Sequence, residues 1–394
     1  MLAVRLVLQI VSTVSAQGVV AATHVDPIPG GVSRTEVRVV EPTAMLFSRL
    51  PKARMSLHAT LSLEGLTMPG GQLTLGAWGE GFVDRRHPHT YVHELMVSAT
   101  DMLGALDGPA GVSLSAGKGF VPYGSDDPMS RPVLAYPVNH HWSQLLERAV
   151  AILGLRAGPV LVEGALYNGD EPEKPGGWPR VSQFGNSWST RVTLMPRPWL
   201  ELEGSRAAVN SPEHRPGAGT VQQMWHVSAR AEGALGAGQG YALAEWARVT
   251  EASGFFAFTT ALAEASWTSG GARGYYRFER TDRPEESRTL DLFRTQRPHV
   301  ENSILGTTRW TIHTAGSKLR LGFVPLPVRI ETIVEGSYAQ VASLHQGLFD
   351  PVATYGRDTL WSLTVALRIS VGADHRMGRY GAAMAEGPTH LHSH

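Results

Sequence analysis

The sequence predicts an all-β fold, a transmembrane antiparallel up-and-down β-barrel of roughly 14 strands (about 12–16) around a polar lumen. Three observations predict it. From residue 55 onward, apolar and polar residues alternate in runs of about ten, the length of a tilted strand that crosses a bilayer. A period of two sends the two sets to opposite faces. The polar sets carry both Arg and Glu, and an arginine facing lipid at mid-membrane costs about 2–4 kcal/mol, whereas one facing a wet lumen costs little. Finally, the 394 residues include 43 Gly and 25 Pro, which suit many turns, and no uninterrupted apolar stretch long enough for a helical span.

The elements follow in order. Residues 1–16 read as a secretory signal: Arg5 supplies the positive start, residues 6–14 the apolar centre, and Val14-Ser15-Ala16 a small-residue cleavage site before Gln17. Residues 17–54, rich in Pro and Gly, read as a periplasmic lead-in, 55–371 as the barrel, and 372–394 as a flexible His-containing tail. In the first run Met55, Leu57, Ala59, Leu61 and Leu63 alternate with Ser56, His58, Thr60, Ser62 and Glu64. Leu73, Leu75 and Ala77 alternate with Thr74, Gly76 and Trp78. Residues 93–101 fit a strand or a short helix, and 112–121 a strand. Residues 122–144, with their Pro, Gly and Asp clusters, read as a long loop that narrows the lumen.

The clearest alternations follow. Trp188, Thr190, Val192 and Leu194 oppose Ser187, Ser189, Arg191 and Thr193. Trp225, Val227, Ala229 and Ala231 oppose His226, Ser228, Arg230 and Glu232. Ile304, Gly306, Thr308, Trp310 and Ile312 oppose Ser303, Thr307, Arg309 and His313, and Trp361, Leu363, Val365, Leu367 and Ile369 oppose Ser362, Thr364, Arg368 and Ser370. The charged members assigned to the lumen are Glu201, Arg230, Glu232, Arg277, Glu279, Arg309, Arg329, Glu331 and Arg368. A secreted soluble β-protein would alternate too, with its polar face outward, but no internal repeat supports a propeller.

Lys and Arg total 35, as do Asp and Glu, so no basic field attracts nucleic acid. Cysteine is absent, which excludes disulfides and thiolate metal sites. Imidazole clusters are the candidate ligands for Cu or Zn. They are His87, His89 and His93, then His140 and His141 in the long loop, and His390, His392 and His394 in the tail. The blander role of each is a hydrogen bond in a turn or loop. No G-x-S-x-G elbow, H-E-x-x-H pair, phosphate loop or dinucleotide fingerprint occurs, so no enzyme is expected, and no cofactor beyond weakly held Cu or Zn.

Several segments also resemble those of a group of Gram-negative outer-membrane, porin-like proteins. Asp84-Arg85-Arg86-His87-Pro88-His89, followed by Glu94-Leu95-Met96, is similar to its D-R-x-H-P-H…E-L pattern. Asn139-His140-His141-Trp142 resembles its H-H-W segment, and residues 163–172 its E-G-x-x-F-N-G-x-E-P segment. The resemblance implies an outer-membrane barrel with no settled substrate and no catalytic residues. The expected function is passive or weakly selective diffusion of small polar solutes or ions. The alternative is a non-conducting binding or structural barrel that handles transition metal through its histidines. Expected partners are outer-membrane lipid, the barrel-assembly machinery and small polar solutes; the sequence sets no oligomeric state.

Overall fold

A computed structural model of the chain describes residues 10–68, 73, 75, 89–103, 108–125, 127–138, 140–172, 174–210, 221–251, 254, 256–286, 304–322, 328–344, 349–372 and 377–384. Sixteen antiparallel strands close into one barrel. They are β1 (Val11–Ile28), β2 (Val32–Leu50), β3 (Met55–Ser62), β4 (Val92–Ala99), β5 (Ala110–Gly119), β6 (Arg148–Ala157), β7 (Val160–Tyr167), β8 (Ser187–Arg197), β9 (Leu200–Asn210), β10 (Val221–Leu235), β11 (Gly238–Glu251), β12 (Phe256–Ser269), β13 (Ala272–Glu286), β14 (Ile304–Arg320), β15 (Val328–Ser343) and β16 (Thr359–Val371). Each pairs with its sequence neighbours. The seam joins β1 to β16, from Ala16 opposite Val371 to Asp26 opposite Trp361. Closure joins the two end strands, so neither presents an open edge along its whole length, which lipid would penalise heavily.

An even strand number returns both ends of the wall to one rim. That rim carries tight connections such as 158–159, 198–199, 236–237 and 270–271, while the opposite rim carries 63–91, 120–147, 168–186 and 287–303. Gly270 and Gly271 show why a two-residue hairpin selects glycine. Both sit at positive φ, +57° and +83°, between the paired residues Ser269 and Ala272.

The alternation separates the faces as expected for a membrane wall. Leu153, Leu155, Val162, Val192, Val227, Leu363, Val365, Leu367 and Ile369 are exposed on the outside, whereas Ser189, Arg191, Glu201, Glu245, Glu264, Arg277 and Arg368 are buried inside. Exposed Trp199 and Trp267 stand at the short-turn rim, and Trp188, Tyr338 and Trp361 toward the other. Two aromatic girdles flanking an apolar band are the usual arrangement at membrane interfaces.

Several expectations are corrected. The strands number sixteen rather than about fourteen, because 17–54 is wall and no lead-in: β1 and β2 occupy it. Its Pro and Gly mark interruptions within and between strands, such as the Gly30-Gly31 turn with φ of +94° and +74°. Val14, Ser15 and Ala16 lie within β1 and pair with Leu46, Met45 and Ala44 of β2. Residues 93–101 contain most of β4. Leu73 and Leu75 are buried within a lumenal apolar cluster and belong to no strand.

The tail is not wholly free either. Residues 377–384 pack inside the barrel, with Met377, Arg379, Tyr380 and Ala382 buried. Arg309 is the one lumen assignment that fails. The inner face of β14 carries Thr308, Trp310, Ile312, Thr314 and Lys318, all buried. Arg309 lies on the outer face, where Nε and Nη2 donate to the two carboxylate oxygens of Asp282 at 2.6 and 2.9 Å. Both sets on β14 mix polar and apolar groups, so alternation alone leaves its direction open. Trp310 and Ile312 turn inward because they pack with Leu75 and Val138 of the lumenal segments.

Candidate solute path and lumenal plug

The 120–147 connection folds into the lumen. Its short, turn-rich stretches leave backbone amides and carbonyls without ladder partners, and the wall supplies them. Glu335 of β15 accepts the N–H groups of Leu134 and Ala135 at 2.7 and 2.9 Å, and the Tyr275 hydroxyl at 3.0 Å. Glu279 of β13 accepts the Val138 N–H at 3.0 Å. Arg277 donates to the Ala135 carbonyl at 2.6 Å and to Glu264 of β12 at 2.8 Å. Arg131 of the loop reaches Glu245 of β11 at 3.3 Å. Strands β11, β13 and β15 thus hold one loop through buried charged groups, whose pairing is needed because an isolated charge there would be very costly.

The base of the loop has a second anchor. Glu147 accepts the Thr90 N–H at 2.8 Å, the Thr90 hydroxyl at 3.0 Å and His93 Nδ1 at 2.7 Å. Burial alone would raise its pKa, but the His93 hydrogen bond and charge, aided by Lys118 and His89, hold it down at about 2. His89 pairs with the Glu64 carboxylate. Burial opposes a charge on His89, yet Glu64, by charge and hydrogen bond, with Glu147 and Asp127 adding to it, pushes its pKa up to about 9.

These shifts fix the sign of a pH response. A raised histidine pKa contributes stability that is full below its ordinary 6.5 and is lost as pH rises through about 9. The Glu147 contribution is present above its ordinary 4.5 and is lost as pH falls toward about 2. Urea unfolding in lipid vesicles is therefore expected to lose stability between pH 6.5 and 9 in the natural protein. His89→Gln should flatten that slope; an unchanged slope would refute the pairing.

The predicted residues fall into place unevenly. Arg368 pairs with Glu41 at 2.8 Å, Arg230 with Glu232 at 3.0 Å, and Glu201 with Arg379 at 2.9 Å. Arg329 donates to the Gly372 carbonyl at 3.2 Å, and Glu331 shares its half-buried stretch near the short-turn rim. All of these lie on inward positions. The described candidate histidines fall in two close pairs. His89 and His93 rings lie 4.6 Å apart, each with its own carboxylate, and His140 and His141 rings lie 4.2 Å apart. His140 is buried, its pKa pushed well below the ordinary value by burial, with neighbouring His141, His89 and Arg131 adding to it. Among the described residues no three His, Asp or Glu side chains are placed to share a metal ion. His87, His390, His392 and His394 lie outside the described residues.

Sequence reasoning passed over Arg131, Glu203, Glu245, Glu264, Glu335 and Arg379 as functional residues. Glu245 and Glu264 had a signal: each is a lone acid in the middle of an Ala-rich strand. Arg131 and Arg379 had none, since both lie outside any periodic run.

Beside the charged positions of β13 and β15 the lumen is lined by hydroxyls on β1 and β14–β16. Thr23 bonds Thr364 at 3.0 Å and Thr314 bonds Ser337 at 2.8 Å. A cavity of about 20 Å³, room for about one water, lies between this row and the loop at Leu134 and Val138, with Glu279 and Glu335 at its edge.

No protein-family model matches the chain, and no curated protein matches it. Solved structures do. An anion-selective porin from Comamonas acidovorans superposes with a TM-score of 0.51 at 11 % identity, covering 92 % of this chain and 100 % of the other. OmpT, an outer membrane protein of Vibrio cholerae, gives 0.53 at 8 % identity, covering 92 % and 99 %. At such identity the likeness is one of fold: this chain has the porin-like architecture of outer-membrane β-barrels.

Proposed function

We propose that the chain is a narrow, non-enzymatic channel of the outer membrane through which small polar solutes or ions diffuse passively. The observation that carries this reading is the small polar cavity left between the loop and the wall. Charged groups of β11–β13 and β15 hold the loop, while Thr23, Thr314, Ser337, Ser362 and Thr364 line the cavity beside it together with Glu279 and Glu335. Hydroxyls can replace a solute's water without binding it tightly, which passage requires. Export through removal of residues 1–16 would leave the seam with β16 from Gln17 onward, at the loss of the pairing of Val11–Ala16 with residues 44–49 of β2.

The test is conductance in planar bilayers of protein whose folding is verified by heat-modifiable gel migration. The expected result is small unitary steps, reduced several-fold by Thr364→Trp inside the path and unchanged by Thr190→Trp on the outer face. Silence across many insertions of folded protein would reject the channel. The second reading, a sealed binding or structural barrel, is favoured by the small size of the cavity beside the loop, about 20 Å³.

A further inference from the structure

The outer face of β9–β14 carries arginines toward the rim of the long connections. Arg206 of β9 lies directly opposite Trp225 of β10, and Trp225 opposite Arg248 of β11. One outward step deeper, Trp246 of β11, Ala261 of β12 and Arg280 of β13 form the next row. Arg206, Arg248 and Arg280 are all exposed. Outward positions toward the same rim on β3, β4 and β7 are instead apolar, at Leu61, Leu95 and Leu166.

These three arginines lack counter-ions. Among the described side chains of this patch the one carboxylate is Asp282, and Arg309 occupies both its oxygens. The Arg206 guanidinium lies 5.8 Å from the Trp188 ring centre and 5.7 Å from that of Trp225. Arg248 and Arg280 have no hydrogen-bond or ion-pair partner among the described residues.

A guanidinium turned outward without a counter-ion is unfavourable against hydrocarbon, and the cost falls where it reaches the headgroups. Exposed Trp188 and Trp246, with half-buried Trp225 between the arginines, mark that level. Charge complementarity then selects an anionic headgroup, and the planar fork of arginine matches phosphate oxygens. Arg206 and Arg248 stand two strands apart, about 10 Å between backbones. Several cations within reach of one headgroup favour a phosphomonoester, which carries up to about two negative charges.

We propose that Arg206, Arg248 and Arg280, set among Trp188, Trp225 and Trp246, form a docking surface for a membrane lipid whose headgroup ends in a phosphomonoester. The arginines hold the phosphate oxygens, and the indoles pack against the apolar part of the lipid below them.

The test is native mass spectrometry of the full chain, folded in a neutral detergent and verified by heat-modifiable migration. The chain is titrated with dioleoyl phosphatidic acid, phosphatidylglycerol or phosphatidylcholine, and bound lipids are counted. Phosphatidic acid is expected to bind at least about tenfold more tightly than phosphatidylcholine. Arg248→Gln with Arg280→Gln should bring it down to the phosphatidylcholine level. Arg320→Gln, at an exposed position of the opposite rim, should leave it unchanged.

Equal binding of phosphatidic acid and phosphatidylcholine, or a preference that survives the double substitution, would overturn the docking surface. Phosphatidylglycerol bound as tightly as phosphatidic acid would overturn the phosphomonoester. Displacement of the lipid by excess inorganic phosphate would overturn lipid as the occupant. The same spectra count chains: an oligomer of the natural protein that the double substitution dissolves would give the patch to a second copy and overturn the proposal. Conductance plays no part in any of these readouts, so a silent bilayer would reject the channel and leave the docking surface standing.

Discussion

Arg277→Met is expected to destabilise the barrel by about 3–5 kcal/mol, measured by reversible urea unfolding in lipid vesicles. Arg277 is fully buried. Removing it leaves Glu264 without its 2.8 Å partner and the Ala135 carbonyl without its 2.6 Å donor. The penalty comes mostly from the buried carboxylate, which keeps the Tyr241 hydroxyl at 2.7 Å and the more distant Arg131 at 4.0 Å but loses its close cation. The second change Glu264→Leu should therefore restore most of the lost stability, since replacing a whole buried pair by apolar groups is often neutral. If the double variant were as unstable as the single one, orphaned charge would not be the cause. Arg277→Met should also remove one of the two ties at residue 135, leaving the Ala135 N–H on Glu335 at 2.9 Å, so its bilayer currents should be noisier than those of the natural protein.

Val365→Arg tests the outer face. Val365 sits at the middle of β16 and is 53 % exposed, between the likewise outward Leu363 and Leu367. In a barrel whose outside meets lipid, an arginine there costs about 2–4 kcal/mol. The expected result is that loss in vesicle unfolding, together with slower insertion into lipid. A soluble protein would tolerate the change within about 0.5 kcal/mol, as exposed surface positions generally do. Such tolerance would reverse the reading of the exterior.

The limits of the alternation are visible at particular strands. On β8, Trp188, Val192 and Leu194 against Ser187, Arg191 and Thr193 point in only one physically acceptable way, and the wall adopts it. On β14, Arg309 and Trp310 are neighbours, and either can be accommodated inside. The direction is decided by what waits there: Trp310 donates to Glu285 at 3.0 Å, with Arg283 stacked over its ring at 4.3 Å. Outside, Arg309 finds Asp282. Neither partnership can be read from β14 alone.

The sequence by itself determined the class of fold, the inward direction of most charged residues and the long inward-folding loop. Each of these follows from local period and polarity, which a strand expresses without knowing its neighbours. Tertiary structure alone decided that β1 closes on β16, that Arg309 faces out, that Glu335 and Glu279 hold the loop, and that Arg379 returns to β9. Those outcomes join residues far apart in the chain, as Glu201 and Arg379 are, and they follow from satisfying buried charge and backbone groups, a condition that exists only once the barrel has closed.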